Sequence, residues 1–116
     1  MMADYVRLRQ MFVVIVDNAI KFSAENSKVY ITLEADENIL VSIRDEGVGI
    51  SEEELPNIFE KFYKSKLRQN AKGSGLGLAI ARQICLKHDG TIHVESKVGE
   101  GTTFTFTFPK LEELNA

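Results

Sequence analysis

No apolar run in this chain approaches the roughly 20 residues needed to cross a membrane as a helix, and no signal-peptide pattern is present. Cysteine is almost absent. Cys85 stands alone, so no internal disulfide can form. A single thiol fits a reducing compartment, and within a helical pattern it reads as a small buried apolar residue. Excess charge is missing too. Lys and Arg number 14 against 17 Asp and Glu, a formal net charge of -3, which leaves no nucleic-acid footprint. Basic residues cluster only locally, at Lys61, Lys64, Lys66, Arg68 and Lys72. There is no repeat and no sign of a second domain. What is there is a soluble globular composition, 44% hydrophobic and 27% charged over 116 residues. One domain, residues 1–116, is expected; at this length it buries roughly 65% of its unfolded surface. Met1-Met2 reads as a truncation start.

Residues 6–23 hold the first element. Within it, Met11-Phe12-Val13-Val14-Ile15-Val16 is ambiguous, because its β-branched run favours a strand. In a helix that run costs about 2 kcal/mol relative to alanine. The flanks carry no turn signal, and an uninterrupted element of this length predicts a helix. Val14, Asn18, Lys21 and Phe22 then share a face. A polar turn at 23–28 leads to a strand at 29–35 that alternates as if half-buried. A second strand at 39–44 completes an antiparallel hairpin. Residues 45–50 form a loop. Ser51 and Glu54 fit a capping box and predict a helix from 51 to about 63. Residues 64–74 are polar, basic and aperiodic, as functional lids are. Residues 76–88 read as a helix stopped at Asp89-Gly90. Strands at 91–96 and 102–108 follow. In the second, Thr103-Phe104-Thr105-Phe106-Thr107-Phe108 alternates strictly, so one aromatic face has to be covered. The order predicts an α+β sandwich, with three helices on one face of a largely antiparallel sheet.

The segment Gly73-Ser74-Gly75-Leu76-Gly77-Leu78-Ala79-Ile80 carries three glycines into a helix start. Glycine lets a ligand approach the backbone closely. The helix start offers unpaired N–H groups and partial positive charge, so phosphate oxygens can sit there. A flexible linker or an ordinary helix-entry turn can look the same.

Four segments stand together in order: Asp17-Asn18-Ala19-Ile20-Lys21-Phe22-Ser23, Asp45-Glu46-Gly47-Val48-Gly49-Ile50, Ile58-Phe59-Glu60-Lys61-Phe62-Tyr63-Lys64, and Gly73-Ser74-Gly75-Leu76-Gly77-Leu78-Ala79. They resemble the N, G1, F and G2 boxes of sensor histidine kinase catalytic domains, over residues 4–109. The wider superfamily includes gyrase, heat-shock chaperone and mismatch-repair ATPases. The resemblance implies a Bergerat-type two-layer sandwich with a mixed, mainly antiparallel sheet, ATP and Mg2+ as ligands, and a lid at about 64–74. It makes Asn18 the magnesium ligand, a role that suits a hard amide oxygen. Lys21 would offset phosphate charge, and Phe22 would flank the nucleotide or join the core. Asp45 would read the adenine amino group; guanine would set acceptor against acceptor there. Gly47 and Gly49 would let the loop pass the base, with Ile50 as apolar wall. Phe59, Phe62 and Tyr63 would anchor the lid, and Lys61 or Lys64 would reach the terminal phosphate. Gly73, Ser74, Gly75, Leu76, Gly77 and Leu78 would form the far hinge and phosphate cradle. Transfer would then fall to Asn18, Lys21 and Lys64. Outside the family, each of these residues has a plainer reading as a surface, turn or core residue.

Two departures qualify the match. Most histidine kinases carry a second asparagine four residues before the magnesium ligand; here it is Val14. Related ATPases place a water-activating glutamate nearby, and valine supplies neither group. Histidine kinases also phosphorylate a histidine on a separate helical-hairpin domain. His88 and His93 read as structural, so the phosphoacceptor is expected on another domain of a longer kinase; the family's usual first strand, upstream of Asp4, is expected to be missing from this chain. The implied function is transfer of the ATP γ-phosphoryl to that histidine in two-component signalling. The implied partners are the dimerisation and phosphoacceptor domain and a response regulator, with no nucleic acid and no direct membrane contact. The implied location is the cytoplasm of a bacterium. Two alternatives stay open: a degenerate nucleotide-binding or interaction module, and an anti-sigma-type serine kinase of the same superfamily.

Overall fold

In a computed structural model, residues 4–23, 26–61, 63 and 77–109 are described. Helix α1 (Tyr5–Phe22) is followed by strands β1 (Tyr30–Ala35) and β2 (Asn38–Asp45), helix α2 (Gly77–Lys87), and strands β3 (Thr91–Lys97) and β4 (Gly101–Pro109). The strands form one antiparallel sheet in the order β1-β2-β4-β3. The chain is therefore an α+β fold with an antiparallel sheet of four strands; among the described residues no parallel pair makes the sheet mixed.

The β-branched run lies inside α1, as its uninterrupted flanks predict. Asp4 caps the helix, its carboxylate accepting from the Arg7 N–H at 3.0 Å. Met11, Ile15 and Ala19 recur every four residues along α1 and are fully buried. The capped start and the buried stripe outweigh the small propensity cost of valine and isoleucine in a helix. Phe104, Phe106 and Phe108 lie buried on the inner face of β4, with Phe12 of α1 edge-on to Phe106 at 5.9 Å and to Phe108 at 6.4 Å. Each such pair adds about 0.5–1.5 kcal/mol beyond the burial itself.

Asp89 ends α2 in the left-handed region at φ 58°, and the Gly90 N–H closes on the Cys85 carbonyl at 2.9 Å. The stop falls where it was expected, with Asp89 rather than Gly90 taking the unusual angles. His88 is buried; its Nε2 accepts from the Asp4 N–H at 2.9 Å and its Nδ1 donates to the Ile84 carbonyl at 2.8 Å. Both ring nitrogens are occupied in tying the ends of the helices together, so His88 is structural. His93 stands exposed on β3 beside Glu95.

Two expectations fail. The helix predicted over 51–63 is a series of turns around a short 3-10 turn, Leu55–Asn57. Pro56 has no N–H, and its ring crowds the carbonyl four residues back. Backbone bonds from Glu54, Asn57, Glu60 and Tyr63 accordingly reach three residues back. The described residues thus hold two α-helices where three were predicted. Strand β1, predicted to be half-buried, is exposed along its whole length. Ile31 and Leu33 pair with Ile43 and Val41 on the helix side, yet they are 59% and 68% exposed. The helices cover β2, β4 and β3 and stop short of the β1 edge. The lid expected at 64–74 lies outside the described residues.

Burial pushes the Cys85 thiol from its ordinary 9.0 up to about 11. The folded chain therefore keeps this proton where the unfolded chain releases it. Stability from this group is complete below pH 9 and is lost as pH rises toward 11. The stability advantage of the wild type over Cys85→Ala, measured by urea unfolding, should shrink across that window and stay constant below it.

Candidate functional site

Strand β2 delivers Asp45 to the corner where α1 ends. Asp45 is 2% exposed, and its Oδ1 accepts from the Gly47 N–H at 2.9 Å. That bond curls the chain as soon as the strand stops. Gly47 then pairs with Ser23 in an isolated antiparallel bridge. The Ser23 hydroxyl donates back to the Ala19 carbonyl at 2.7 Å, closing the end of α1. The last two turns of α1, carrying Asn18 and Lys21, are thereby fixed beside loop 45–50.

The loop is pressed against the β3–β4 turn. Gly49 has φ +77°, and a Cβ there would come within 2.3 Å of the Lys97 carbonyl oxygen. Gly101 has φ +120°, and its Cβ would meet the Asp45 carbonyl oxygen at 2.1 Å. Only glycine suits either place. The Gly99 N–H donates to the Val48 carbonyl at 2.9 Å, and the Ile50 N–H donates to Ser96 Oγ at 2.7 Å. Gly49, expected to let the loop pass a ligand, here lets it pass its own neighbour, and Gly101, not singled out in the sequence, does the same.

Asn18 is half-buried on α1. Its Nδ2 is buried and has no hydrogen-bond partner among the described residues. An unmatched buried amide costs about 1–3 kcal/mol, so a group in want of a partner sits here. Turned half a turn about its last torsion, the same amide presents its carbonyl oxygen. The described residues contain no cluster of three His, Cys, Asp or Glu able to cage a metal. A lone amide oxygen with few other protein ligands fits Mg2+, which keeps several waters and shares the oxygens of a bound phosphate. Lys21 Nζ lies 2.9 Å from Asp17 Oδ2 in an exposed pair one turn apart. Such pairs are worth about 0.3–0.5 kcal/mol, so Lys21 is readily drawn to a stronger anion.

The remaining predicted positions divide. Ile50 is fully buried in the core, Phe59 lies edge-on to Phe104 at 6.4 Å, and Leu78 packs half-buried against the same cluster. Tyr63 sits near Glu54; burial first, then the Glu54 carboxylate and a hydrogen bond to it, raise the phenol above its usual range. At Gly77 a Cβ would meet Val14 Cγ1 at 3.0 Å. Gly77 therefore makes room for Val14 at the junction of α1 and α2. Phe62, Lys64, Gly73, Ser74, Gly75 and Leu76, and the side chain of Phe22, lie outside the described residues.

Thr102 and Ser96 were not foreseen from the sequence. Thr102 is buried opposite Asp45 in the β2–β4 register, and Ser96 is opposite Thr102 in the β3–β4 register. The signal was a polar pair on the otherwise apolar inner faces of two strands. A cavity of about 360 Å³ opens at the same corner, lined in part by Arg44, Glu95 and Thr103. Those residues alternate with the buried phenylalanine face, so this cavity opens on the side of the sheet away from the helices.

Known proteins match this arrangement. Residues 3–112 match the family described as histidine kinase-, DNA gyrase B-, and HSP90-like ATPase. The chain is 42% identical over 108 residues to the sensor histidine kinase YkoH of Bacillus subtilis, covering 91% of this chain and 24% of that protein. It is 47% identical over 105 residues to the heme sensor protein HssS of Staphylococcus saprophyticus, covering 90% of this chain and 22% of that protein. The chain thus spans about a quarter of the length of these relatives. Among solved structures, the mycobacterial sensor histidine kinase MprB superposes with a TM-score of 0.86 at 32% identity, covering 93% of this chain and 75% of that one. Full-length ShkA in complex with AMPPNP superposes with a TM-score of 0.78 at 33% identity, covering 92% of this chain and 22% of that one. With nearly its whole length matched, this chain belongs to the histidine kinase-, DNA gyrase B- and HSP90-like ATPase family.

Proposed function

We propose that this chain is the catalytic domain of a sensor histidine kinase: it binds Mg-ATP and presents the γ-phosphoryl group to a histidine on a separate dimerisation and phosphoacceptor domain. The observation that carries the reading is Asp45, a buried carboxylate closing a core strand at a glycine loop, with an unmatched amide on the adjoining helix. A buried carboxylate is held where donors converge on it. Asp45 accepts from the Gly47 N–H, and a carboxylate has acceptor capacity for several bonds, so the exocyclic amino group of adenine is the kind of donor the site would select. A guanine carbonyl there would face an acceptor. The likeness to a structure holding AMPPNP supports the same ligand class.

In this reading Asn18 holds the magnesium ion, and Lys21 leaves Asp17 to meet phosphate oxygen. Phe22, Gly47, Gly49, Phe62, Tyr63 and the segment from Gly73 to Leu78 surround the nucleotide, and Ile50 and Phe59 pack behind them in the core. Lys64 reaches the terminal phosphate. When bound, magnesium offsets the charge of the phosphate oxygens. The chain's own part is to bind, orient and exclude water. The attacking nucleophile is assigned to the phosphoacceptor domain; His88 is not available for that role, because both of its ring nitrogens are engaged. The proposed partners are the phosphoacceptor domain and a response regulator, and the proposed setting is the bacterial cytoplasm. No helix among the described residues is long and apolar enough to cross a membrane.

A second reading, a degenerate nucleotide or interaction module, draws on Val14. Its side chain fills the α1–α2 junction against Gly77 and offers no polar atom where most histidine kinases carry an amide. Calorimetry with Mg-ATP separates the two. Binding and a thermal shift of several degrees are expected; at one hundred times Kd the added stability is about 2.7 kcal/mol. No heat and no shift at millimolar ATP would favour the degenerate module.

Two variants test the roles. In Asp45→Asn one side-chain oxygen must serve both Gly47 N–H and the adenine amino group, and the NH2 meets a donor. ATP affinity should fall by about 100-fold, read by calorimetry on the folded variant. Asn18→Ala should abolish magnesium-dependent transfer to a supplied phosphoacceptor domain in a radiolabel assay. Normal transfer by that variant would refute the role given to Asn18.

A further inference from the structure

Ser96 is a half-buried hydroxyl on the inner face of β3, and every bond it can make is made. Its oxygen accepts from the Ile50 N–H at 2.7 Å. Its proton goes to the Gly101 carbonyl at 2.9 Å. Its remaining lone pair lies 2.8 Å from Thr102 Oγ1. Ser96 has one proton and that proton is spent on Gly101, so in the third bond Thr102 is the donor. The three partners belong to different pieces of the corner. Ile50 ends the loop that begins at Asp45. Gly101 leaves no room for a Cβ beside the Asp45 carbonyl. Thr102 lies between Asp45 and Ser96 in the register of three adjacent strands.

The geometry points to Ser96 as a positioning residue for base recognition. It touches no reacting atom. It fixes the end of the Asp45 loop and sets the direction of the Thr102 hydroxyl beside the Asp45 carboxylate. This inference rests on the nucleotide reading and adds to it: selectivity for adenine depends on a residue of β3, across the sheet from the loop that reads the base. Without the Ser96 hydroxyl, the buried Ile50 N–H loses its partner and the Thr102 proton must find another acceptor. The nearest strand neighbour of Thr102 on its other side is Asp45 itself. A hydroxyl turned that way would compete with the ligand's amino group.

The test compares the unchanged chain with Ser96→Ala, Ser96→Thr and Ser96→Cys. Each is titrated with Mg-ATP and with Mg-GTP by calorimetry, at a temperature where circular dichroism shows the chain folded. For Ser96→Ala the ATP dissociation constant should rise about 10-fold. The dissociation constant for GTP should change less, so the preference for ATP narrows. Stoichiometry should stay at one nucleotide per chain. Ser96→Thr, which keeps the hydroxyl, should recover most of the ATP preference. Should alanine fail to fold, Ser96→Cys provides the same contrast with a weak donor of similar size. A purely structural serine would lower the melting temperature and leave both affinities of the folded chain alone, and that result would overturn the proposal. If the unchanged chain binds neither nucleotide, the nucleotide reading falls first, and this inference falls with it.

Discussion

Phe104, Phe106 and Phe108 project from one face of β4, and apolar surface left in water costs about 25 cal/mol per Å². Something must lie across that face, and α1 and α2 do. Phe12 of α1 meets two of the three rings edge-on, and Phe59 meets the third. Because the threonines between them point the other way, the register of β4 cannot slip by one residue without turning the aromatic face to solvent. β4 is also central, paired with β2 on one side and β3 on the other. Fixing β4 therefore fixes the direction in which β2 delivers Asp45 and the place where α1 ends.

The candidate site is a consequence of that framework. Three chain segments converge at one corner: the end of α1, the loop after β2 and the turn between β3 and β4. Their close approach is possible because Gly49 and Gly101 carry no Cβ. Backbone bonds and the Ser96 hydroxyl then hold the segments together. The corner combines a rigid loop with two polar groups buried at some cost, Asp45 and Asn18. Sites that bind ligands commonly hold such polar groups ready on rigid elements.

Much of this was legible in the sequence because periodicity survives tertiary packing. The strict Thr-Phe alternation of 103–108 gave β4 and its buried face. The absence of any turn signal from Arg7 to Phe22 outweighed the valines and gave α1. The ordered boxes around Asn18 and Asp45 gave the family. Three things were not legible. Pro56 lies near the middle of a segment that opens with a strong helix-start pattern, so the cap was read and the break was missed. The exposure of β1 depends on where the helices stop, which no local pattern records. Ser96 and Thr102 are ordinary strand residues until the register sets them in line with Asp45.

The central claim is that loop 45–50 and the end of α1 form one nucleotide site. Amide chemical shifts of the isotopically labelled chain, followed during titration with Mg-ATP, test it most directly. The account predicts that the largest perturbations fall on Asp45, Gly47, Gly49 and the last two turns of α1, with Thr102 following and β1 unchanged. Perturbations confined to the outer face of the sheet around Arg44, Glu95 and Thr103, or none at saturating nucleotide, would contradict it.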